Sequence, residues 1–259
     1  MSEIDKFYSD RANRLSEYKN NKGLNKLANE WIEKSMTENY VYNFDWLGRP
    51  IIQFPEDIVG VQELIWKTKP DTIIETGVAH GGSLVLSASI LAMLDLCEAI
   101  DRGQTYDPKL TKRRVLGVDI EIRQHNRELI EAHPLFNYIT LIEGSSTTPE
   151  VISKVKAKTK GSNKSLVFLD SNHTHAHVSE ELEAYWRFVT LHSYCVVFDT
   201  FVEIMPQGFF PNRPWDVGDN PMTAVKDFLD RNDNFVIDNE IDTKLQITVA
   251  KSGFLKRIK

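Results

Sequence analysis

Cysteine is scarce in this chain, which carries only Cys97 and Cys195 among its 259 residues. Both lie in apolar stretches and no Cys-x-x-Cys pair occurs, so the sequence predicts neither a disulfide framework nor a cysteine-ligated zinc site. Lysine and arginine (31) are outnumbered by aspartate and glutamate (37), which leaves a net charge of −6. Because nucleic-acid binding needs a basic surface, this balance argues against a nucleic-acid partner.

Long apolar runs are missing as well. No segment of the printed sequence approaches the roughly 20 consecutive apolar residues of a membrane span. The N-terminal stretch "MSEIDKFYSDRANRL" is charged from its third residue and lacks the apolar centre of a signal peptide. We therefore expect a cytoplasmic protein without a membrane span, whose length suits one sizeable α/β domain or two small ones.

The first 56 residues differ in pattern from the rest. Apolar residues recur at helical spacing in the polar segment 3–36, which predicts one or two helices outside any sheet. Residues 39–58 are aromatic-rich and interrupted by glycine and proline, so they predict a loop or short hairpin that either packs on the core or forms a wall of a substrate site. We expect an N-terminal extension over 1–56 and a ligand-binding domain over 57–259, which opens with a helix that Asp57 caps.

From residue 72 onward, short apolar strands alternate with helices. Strands that are apolar on both faces are typical of a parallel sheet, and the alternation predicts a doubly wound, Rossmann-like α/β fold. The last two strands, joined by a tight polar turn, predict an antiparallel edge to a seven-stranded, mostly parallel sheet. The predicted strands cover residues 72–76, 114–120, 139–144, 165–170, 194–199, 234–240 and 244–251.

The stretch "TIIETGVAHGGSLV" places a carboxylate directly before a glycine turn. Gly77 allows the turn itself, and Gly81 and Gly82 would let a ligand approach the start of a helix, where N–H groups are free. The spacing differs from the Gly-x-Gly-x-x-Gly of dinucleotide sites. Glu75 would repel a pyrophosphate but suits an amino group, which favours S-adenosylmethionine (SAM) over a purely structural turn. The candidate cofactor contacts here are Glu75, Thr76, Gly77, Gly81, Gly82 and Ser83.

The next two strands end in further candidate contacts. Asp119 ends the second strand, where an acidic residue can accept hydrogen bonds from both ribose hydroxyls. The third strand ends in "EGSST", and we expect Ser145, with Gly144 and Ser146 beside it, to face an adenine edge.

A second group of polar residues follows the fourth and fifth strands, which end "FLDSNHTHAH" and "VVFDTFVE". If these strands are neighbours, Asp170 and Asp199 converge beside the cofactor, and two facing carboxylates repel unless a cation lies between them. Oxygen ligands suit Mg²⁺ or Ca²⁺, which would hold two acceptor hydroxyls and lower the pKa of one. His173 is in reach as the base for that hydroxyl. The alternative for Asp170 is capping of the next helix, and we expect His175 and His177 to be surface or cap residues.

Together, "WLGRPIIQFPEDI", "ETGVAHGGSLVLSASIL", "VLGVDIEIRQHN", "LVFLDSNHTHAHVSEELEAY" and "VVFDT" resemble the cephalosporin hydroxylase / rhamnosyl O-methyltransferase family over roughly residues 40–255. The resemblance implies a class I SAM-dependent methyltransferase fold, a divalent metal, and methylation of a hydroxyl on a sugar or natural product. The chain is also similar to metal-dependent macrolide-sugar O-methyltransferases, whose Asp-x-x-His arrangement is matched by Asp170 and His173.

The chain departs from this pattern after the fifth strand, where the resemblance implies Glu-Asp and the sequence has Phe198-Asp199. Either Asn172, Glu203 or water completes the metal shell, or the metal is weaker or absent.

We therefore expect a SAM-dependent O-methyltransferase with a small-molecule or saccharide acceptor, in which Asp170 contacts cofactor and metal, Asp199 binds metal and His173 is the base. A homo-oligomer is compatible with the sequence. The alternatives are a metal-independent methyltransferase with His173 alone as base, or a catalytically silent SAM-binding partner protein, which Phe198 favours.

Overall fold

The structure is a computed structural model, and it describes residues 2–259. Its strands are β1 Phe44–Trp46, β2 Arg49–Ile51, β3 Thr72–Thr76, β4 Arg114–Asp119, β5 Ile139–Glu143, β6 Ser165–Leu169, β7 Tyr194–Val197, β8 Phe235–Ile237 and β9 Phe254–Arg257. Its helices are α1 Glu3–Asn20, α2 Lys22–Thr37, α3 Pro55–Thr68, α4 Gly82–Asp101, α5 Gln124–Glu131, α6 Pro149–Thr159, α7 His175–Tyr185, α8 Pro221–Arg231 and α9 Asn239–Leu245.

Seven strands form one sheet in the order β5-β4-β3-β6-β7-β9-β8. Strands β3 to β7 are parallel, and β9 runs antiparallel between β7 and β8. This confirms the predicted doubly wound, mostly parallel sheet with an antiparallel edge. The chain leaves β3 in one direction for β4 and β5, and β6 lies on its other side. The strand order therefore reverses between β3 and β6, and ligands in such sheets bind beyond the strand ends at this point.

Alternating residues of the central strands supply two separate cores. On one face, Ile73 and Val115 pack with the buried side of α4. On the other, Ile74 and Leu116 pack with buried residues of α7 and α8. Successive side chains point to opposite faces of a strand, so continuously apolar strands need helices on both faces.

Helix α4 passes a test that the sequence was expected to fail. Within residues 2–259 it is the one helix long and apolar enough, by length and composition, to cross a membrane. Its residues Leu84, Val85 and Leu91 are fully buried, and the helix packs against α3 and the sheet. Core helices of α/β domains meet the same criterion, so this is weak support for a span.

One predicted strand is wrong. Residues 244–251 do not pair with the sheet; α9 ends at Leu245, and the last strand of the chain is β9, which lies between β7 and the edge strand β8. The side chain of Asp238 accepts the N–H of Glu240 and starts α9 where a tight turn was predicted. Thr248, Val249 and Ala250 are buried in a loop. The apolar pattern of this stretch therefore reflects burial and not pairing in a strand.

The N-terminal segment adds two helices and the predicted hairpin, β1–β2, to the sheet domain. The hairpin lies against α4, because Trp46 Nε1 donates to Ser89 Oγ at 3.1 Å. Helix α3 begins at Pro55 after Phe54, so Asp57 lies inside the helix and is not its cap. Asp57 instead accepts hydrogen bonds from Thr248 and Val249.

Candidate active site

A cavity of about 510 Å³ opens at the carboxyl ends of β3, β6 and β7. Its walls come from the glycine loop, the hairpin with the end of α2, the ends of β6 and β7, and the segment 201–215. Segments 39–56 and 200–220 thus both contribute to this cavity. Its lining includes Tyr42, Gly77, Gly81, Gly82, Ser83, Asp170, His173, Asp199, Phe209, Phe210, Arg213 and Trp215.

The glycine loop has the predicted tight turn, but two of its glycines serve a different purpose from the one expected. Gly77 has φ +92°, and a Cβ there would lie 2.0 Å from the carbonyl oxygen of Asp170. A Cβ on Gly81 would meet Ile130 at 2.5 Å, and one on Gly82 would meet the Pro50 carbonyl at 2.2 Å. The space at Gly81 and Gly82 is therefore filled by α5 and the hairpin, which replaces ligand approach as the reason for these glycines.

Glu75 lies behind the glycine loop rather than in the cavity wall. Its side chain is 3% exposed, and Oε1 accepts a hydrogen bond from the hydroxyl of Ser83. Burial raises the pKa of Glu75 to about 7, although the Ser83 bond opposes this shift. Glu75 Oε2 and Thr76 Oγ1 have no hydrogen-bond partner within residues 2–259. A buried acceptor without a partner is costly, so Oε2 remains available to a donor from outside the chain.

Asp119 is held by the glycine loop itself. Its Oδ2 accepts the N–H of Val78 at 2.8 Å and, more weakly, that of Ala79 at 3.4 Å, while Oδ1 accepts the N–H of Glu121 at 3.2 Å. Ser145 follows β5 and shares only a 3.4 Å contact with Thr147 Oγ1. Neither Asp119 nor Ser145 lines the cavity, so both predicted cofactor contacts lie beside it, at the ends of β4 and β5.

The structure brings Asp170, His173 and Asp199 together. One ligand atom from each lies within 4.8 Å of the others. His173 Nδ1 is 3.1 Å from Asp199 Oδ2, and its ring meets that of Trp215 edge-on at 4.7 Å between centroids. Burial raises the pKa of Asp170 well above its usual range, and the neighbouring carboxylates, Asp199 first, raise it further. Thr174 caps α7, so Asp170 is not a helix cap.

These three side chains fit a divalent cation. Two carboxylates and one imidazole are ligand types that Mg²⁺ or Mn²⁺ accepts, and a cation would relieve the repulsion that raises the pKa of Asp170. The predicted additional ligands do not join them. Glu203 is engaged by Asn220, Gly218 and Lys226, and Asn172 Oδ1 accepts from Thr174.

Phe198 takes no part in the cavity wall. Its ring is 2% exposed and packs edge-on against Phe168 at 6.0 Å in the core. The expected carboxylate position therefore points into the apolar layer under the sheet. The two histidines that follow His173 in the same segment bond other parts of the protein, since His175 bonds Thr223 and Asp219, and His177 contacts Ser146 and Ser171.

The sequence analysis did not identify the aromatic and basic side chains of the 206–218 loop that line the cavity beside His173. Trp215 lies over His173, and Arg213 lies over Trp215 with 5.2 Å between its guanidinium carbon and the ring centroid. Both follow the proline and glycine residues of the 206–218 loop, so no periodicity marks them. The only feature of the sequence that could have indicated them is the occurrence of aromatic and basic residues together in this loop.

The parallel sheet, the glycine loop at its switch point and the carboxylates beyond β6 and β7 are the architecture of class I SAM-dependent methyltransferases. The family model of Rhamnosyl O-methyltransferase/CmcI matches residues 38–258, and the chain belongs to this family. The rhamnosyl O-methyltransferase of Mycobacterium tuberculosis is 28% identical over 206 residues, which cover 78% of this chain and 73% of that protein.

The Mycobacterium leprae rhamnosyl O-methyltransferase is 26% identical over 225 residues, covering 85% of this chain and 86% of that protein. A solved structure of CmcI with Mg and SAM has a TM-score of 0.54 and 18% identity, and the match covers 84% of this chain and 78% of that one. At this identity the likeness supports the fold.

Proposed function

We propose that this protein is a SAM-dependent O-methyltransferase that acts on a hydroxyl of a sugar or a sugar-containing natural product, assisted by a divalent metal. The observation that carries the proposal is the convergence of Asp170, His173 and Asp199 in a cavity that the glycine loop also lines. Membership of the family and the two mycobacterial relatives, which are rhamnosyl O-methyltransferases, support the same reaction class.

Bound SAM would supply the methyl group, with Glu75 and the backbone at Gly77 and Gly81 near its methionine end and Asp119 near its ribose. Asp170 and Asp199 would hold a divalent cation, which would orient an acceptor hydroxyl and make it more acidic. Asp199 lies beside Nδ1 of His173, which leaves Nε2 to accept the hydroxyl proton. Transfer of that methyl group to the acceptor oxygen would break its bond to sulfur and leave S-adenosylhomocysteine as the product. Positioning of the two reactants supplies much of the rate.

The contact between His173 and Asp199 also supports a second candidate, a metal-independent methyltransferase. At 3.1 Å, Asp199 can orient the imidazole and stabilise its protonated form without any cation. The two candidates assign different partners to one carboxylate. Titration with EDTA and Mg²⁺ therefore separates them.

The test measures methyl transfer to a panel of glycosides, together with calorimetric binding of SAM and of Mn²⁺. For the metal-assisted enzyme, EDTA abolishes transfer and Mg²⁺ restores it, while Asp199→Asn loses Mn²⁺ affinity and keeps SAM affinity. Transfer that survives EDTA yet disappears in Asp199→Asn supports the metal-independent candidate. A parent protein that fails to bind SAM would contradict both.

A further inference from the structure

Asp57 is a buried carboxylate with no place in the cavity wall. It is 1% exposed on α3, and both of its oxygens accept hydrogen bonds: Oδ1 from the hydroxyl of Thr248 at 2.5 Å, Oδ2 from the N–H of Val249 at 2.9 Å. Thr248 Oγ1 in turn accepts the N–H of Ala250 at 3.0 Å. A carboxylate this deeply buried is costly to ionise, and its two hydrogen bonds hold Thr248 and Val249 in place.

The segment that Asp57 holds is bonded directly to the residues after Asp199. The carbonyl of Val249 accepts the N–H of Phe201 at 3.2 Å, and the hydroxyl of Thr200 donates to the carbonyl of Lys251 at 2.6 Å. Thr200 is fully buried, so these bonds exchange little with water. The path from Asp57 to Asp199 therefore consists of a few short, buried hydrogen bonds.

The same segment also fixes the chain before Asp199. The carbonyl of Gly253 accepts the N–H of Val197 at 2.9 Å, and a Cβ on Gly253 would lie 2.1 Å from the carbonyl oxygen of Val197. Residues 248–253 are thus hydrogen-bonded to the chain on both sides of Asp199.

Asp199 needs this support because its backbone is left-handed, with φ +55°. For a residue with a side chain such a conformation is unfavourable, and it persists only where the surroundings impose it. The left-handed turn places the Asp199 carboxylate beside His173 and Asp170.

We propose that Asp57 is a positioning residue for the cation site: through residues 248–251 it holds Asp199 in the conformation that brings its carboxylate to Asp170 and His173. This inference rests on the proposed function for the identity of the site. It differs from a role for the Asp57 charge alone, which would attract a cation from a distance without fixing any ligand.

Two variants separate position from charge. Asp57→Asn removes the charge and leaves one acceptor oxygen for the two donors, whereas Thr248→Val removes the hydroxyl that bonds Asp57 and accepts the Ala250 N–H, and leaves every charge in place. Asp95→Asn is the control, because Asp95 is also bonded by several side chains (Thr111, Arg113 and Tyr138) but is remote from the described site. Manganese binding is measured by electron paramagnetic resonance, with SAM affinity and thermal unfolding alongside.

We expect Asp57→Asn and Thr248→Val each to weaken Mn²⁺ binding by about 10- to 100-fold, the usual effect of losing support behind a metal ligand. SAM affinity stays within about twofold, and Asp95→Asn lowers the unfolding temperature without changing Mn²⁺ binding. Thr248→Val binding Mn²⁺ like the parent overturns the proposal, and a loss confined to Asp57→Asn assigns the effect to charge.

Hydrogen exchange without metal keeps this test separate from the proposed function. In Thr248→Val the amide of Phe201 exchanges faster than in the parent, while the amide of Val85 in α4 does not. If the parent binds no Mn²⁺, the metal in the proposed function fails, and the exchange at Phe201 still decides the coupling. Unchanged exchange at Phe201 means that Asp57 does not hold this turn.

Discussion

The two sides of the cavity differ in how far the chain satisfies its own polar groups. On the cofactor side, Asp119 accepts three backbone N–H groups and Glu75 accepts from Ser83, while Glu75 Oε2 and Thr76 Oγ1 have no partner among residues 2–259. On the acceptor side, Asp170 and Asp199 face each other, and the pKa of Asp170 is raised by burial and by that neighbour.

This difference indicates which side needs an added charge. Internal hydrogen bonds fix the glycine loop before any ligand arrives, which is the preorganisation that a cofactor site benefits from. Facing carboxylates are costly until a cation or a proton separates them. We infer that the acceptor side is assembled for a cation and the cofactor side for a neutral or zwitterionic group.

The largest effect should come from His173, the base proposed for the acceptor side. His173→Ala is expected to lower turnover by roughly 10²- to 10⁴-fold, the usual contribution of a general base, with SAM affinity unchanged. Steady-state rates and calorimetry with SAM measure both quantities. His175→Ala is the control, because His175 bonds Thr223 at 2.8 Å and does not line the cavity. If both variants lost the same turnover, His173 would not be the general base.

A second effect concerns Glu75, the incompletely satisfied carboxylate of the cofactor side. Its pKa of about 7 in the folded protein lies above its value in the unfolded chain, so the folded state loses stability as pH rises through that interval. The reference is Glu75→Gln, which can still accept from Ser83. Relative to this variant, the free energy of unfolding of the parent should fall by on the order of 3 kcal/mol between about pH 4.5 and pH 7. Urea unfolding of both proteins across this range measures the difference.

The comparison cancels the other carboxyl groups with raised pKa values, such as Asp57 and Asp242, because both proteins contain them. Parallel stability curves for the parent and Glu75→Gln would mean that Glu75 is not the buried acid that this geometry describes.

The sequence predicts which residues lie at the strand ends, but it does not predict what several nearby residues pack against or bond to. Asp170 and Asp199 follow apolar strands, and neighbouring parallel strands bring such residues to one edge. Gly82 was assigned to ligand approach because the sequence does not show that Pro50 packs against it. Asp57 was assigned to a helix cap because its partners, Thr248 and Val249, lie about 190 residues away.

The direction of the Phe198 side chain was likewise not predictable from the sequence. Its position in the sequence suggested a missing metal ligand, and only the packing against Phe168 shows that the side chain points into the core. A glutamate there would bury a carboxylate among apolar side chains, so Phe198→Glu should destabilise the fold and add no ligand to the cation site. Local pattern determines which element a residue ends, but contacts distant in sequence determine which way its side chain faces.

The third effect tests the proposal that Asp119 serves the ribose while holding the glycine loop. Asp119→Ala should weaken SAM and S-adenosylhomocysteine alike by about 1.5–3 kcal/mol, because it removes charge-assisted hydrogen bonds near a part that both ligands share. Asp119→Asn, which can still accept from Val78 N–H, separates the loop from the ligand. Full affinity in Asp119→Asn would mean that the loop contact alone matters.

The smallest effect tests how far the cofactor side extends toward β5. Ser145 shares only a 3.4 Å contact with Thr147 and lies beside the cavity, so its hydroxyl is largely uncommitted within the chain. If it bonds an adenine edge, Ser145→Ala should weaken S-adenosylhomocysteine by about 0.5–1.5 kcal/mol, the net value of one neutral hydrogen bond. Thr147→Val, which removes only the internal partner, should leave affinity unchanged. Because methionine lacks the adenine, its weak binding should be equal in the parent and in Ser145→Ala. Calorimetry that finds the same S-adenosylhomocysteine affinity in both proteins would place the adenine elsewhere and confine the cofactor contacts to the ends of β3 and β4.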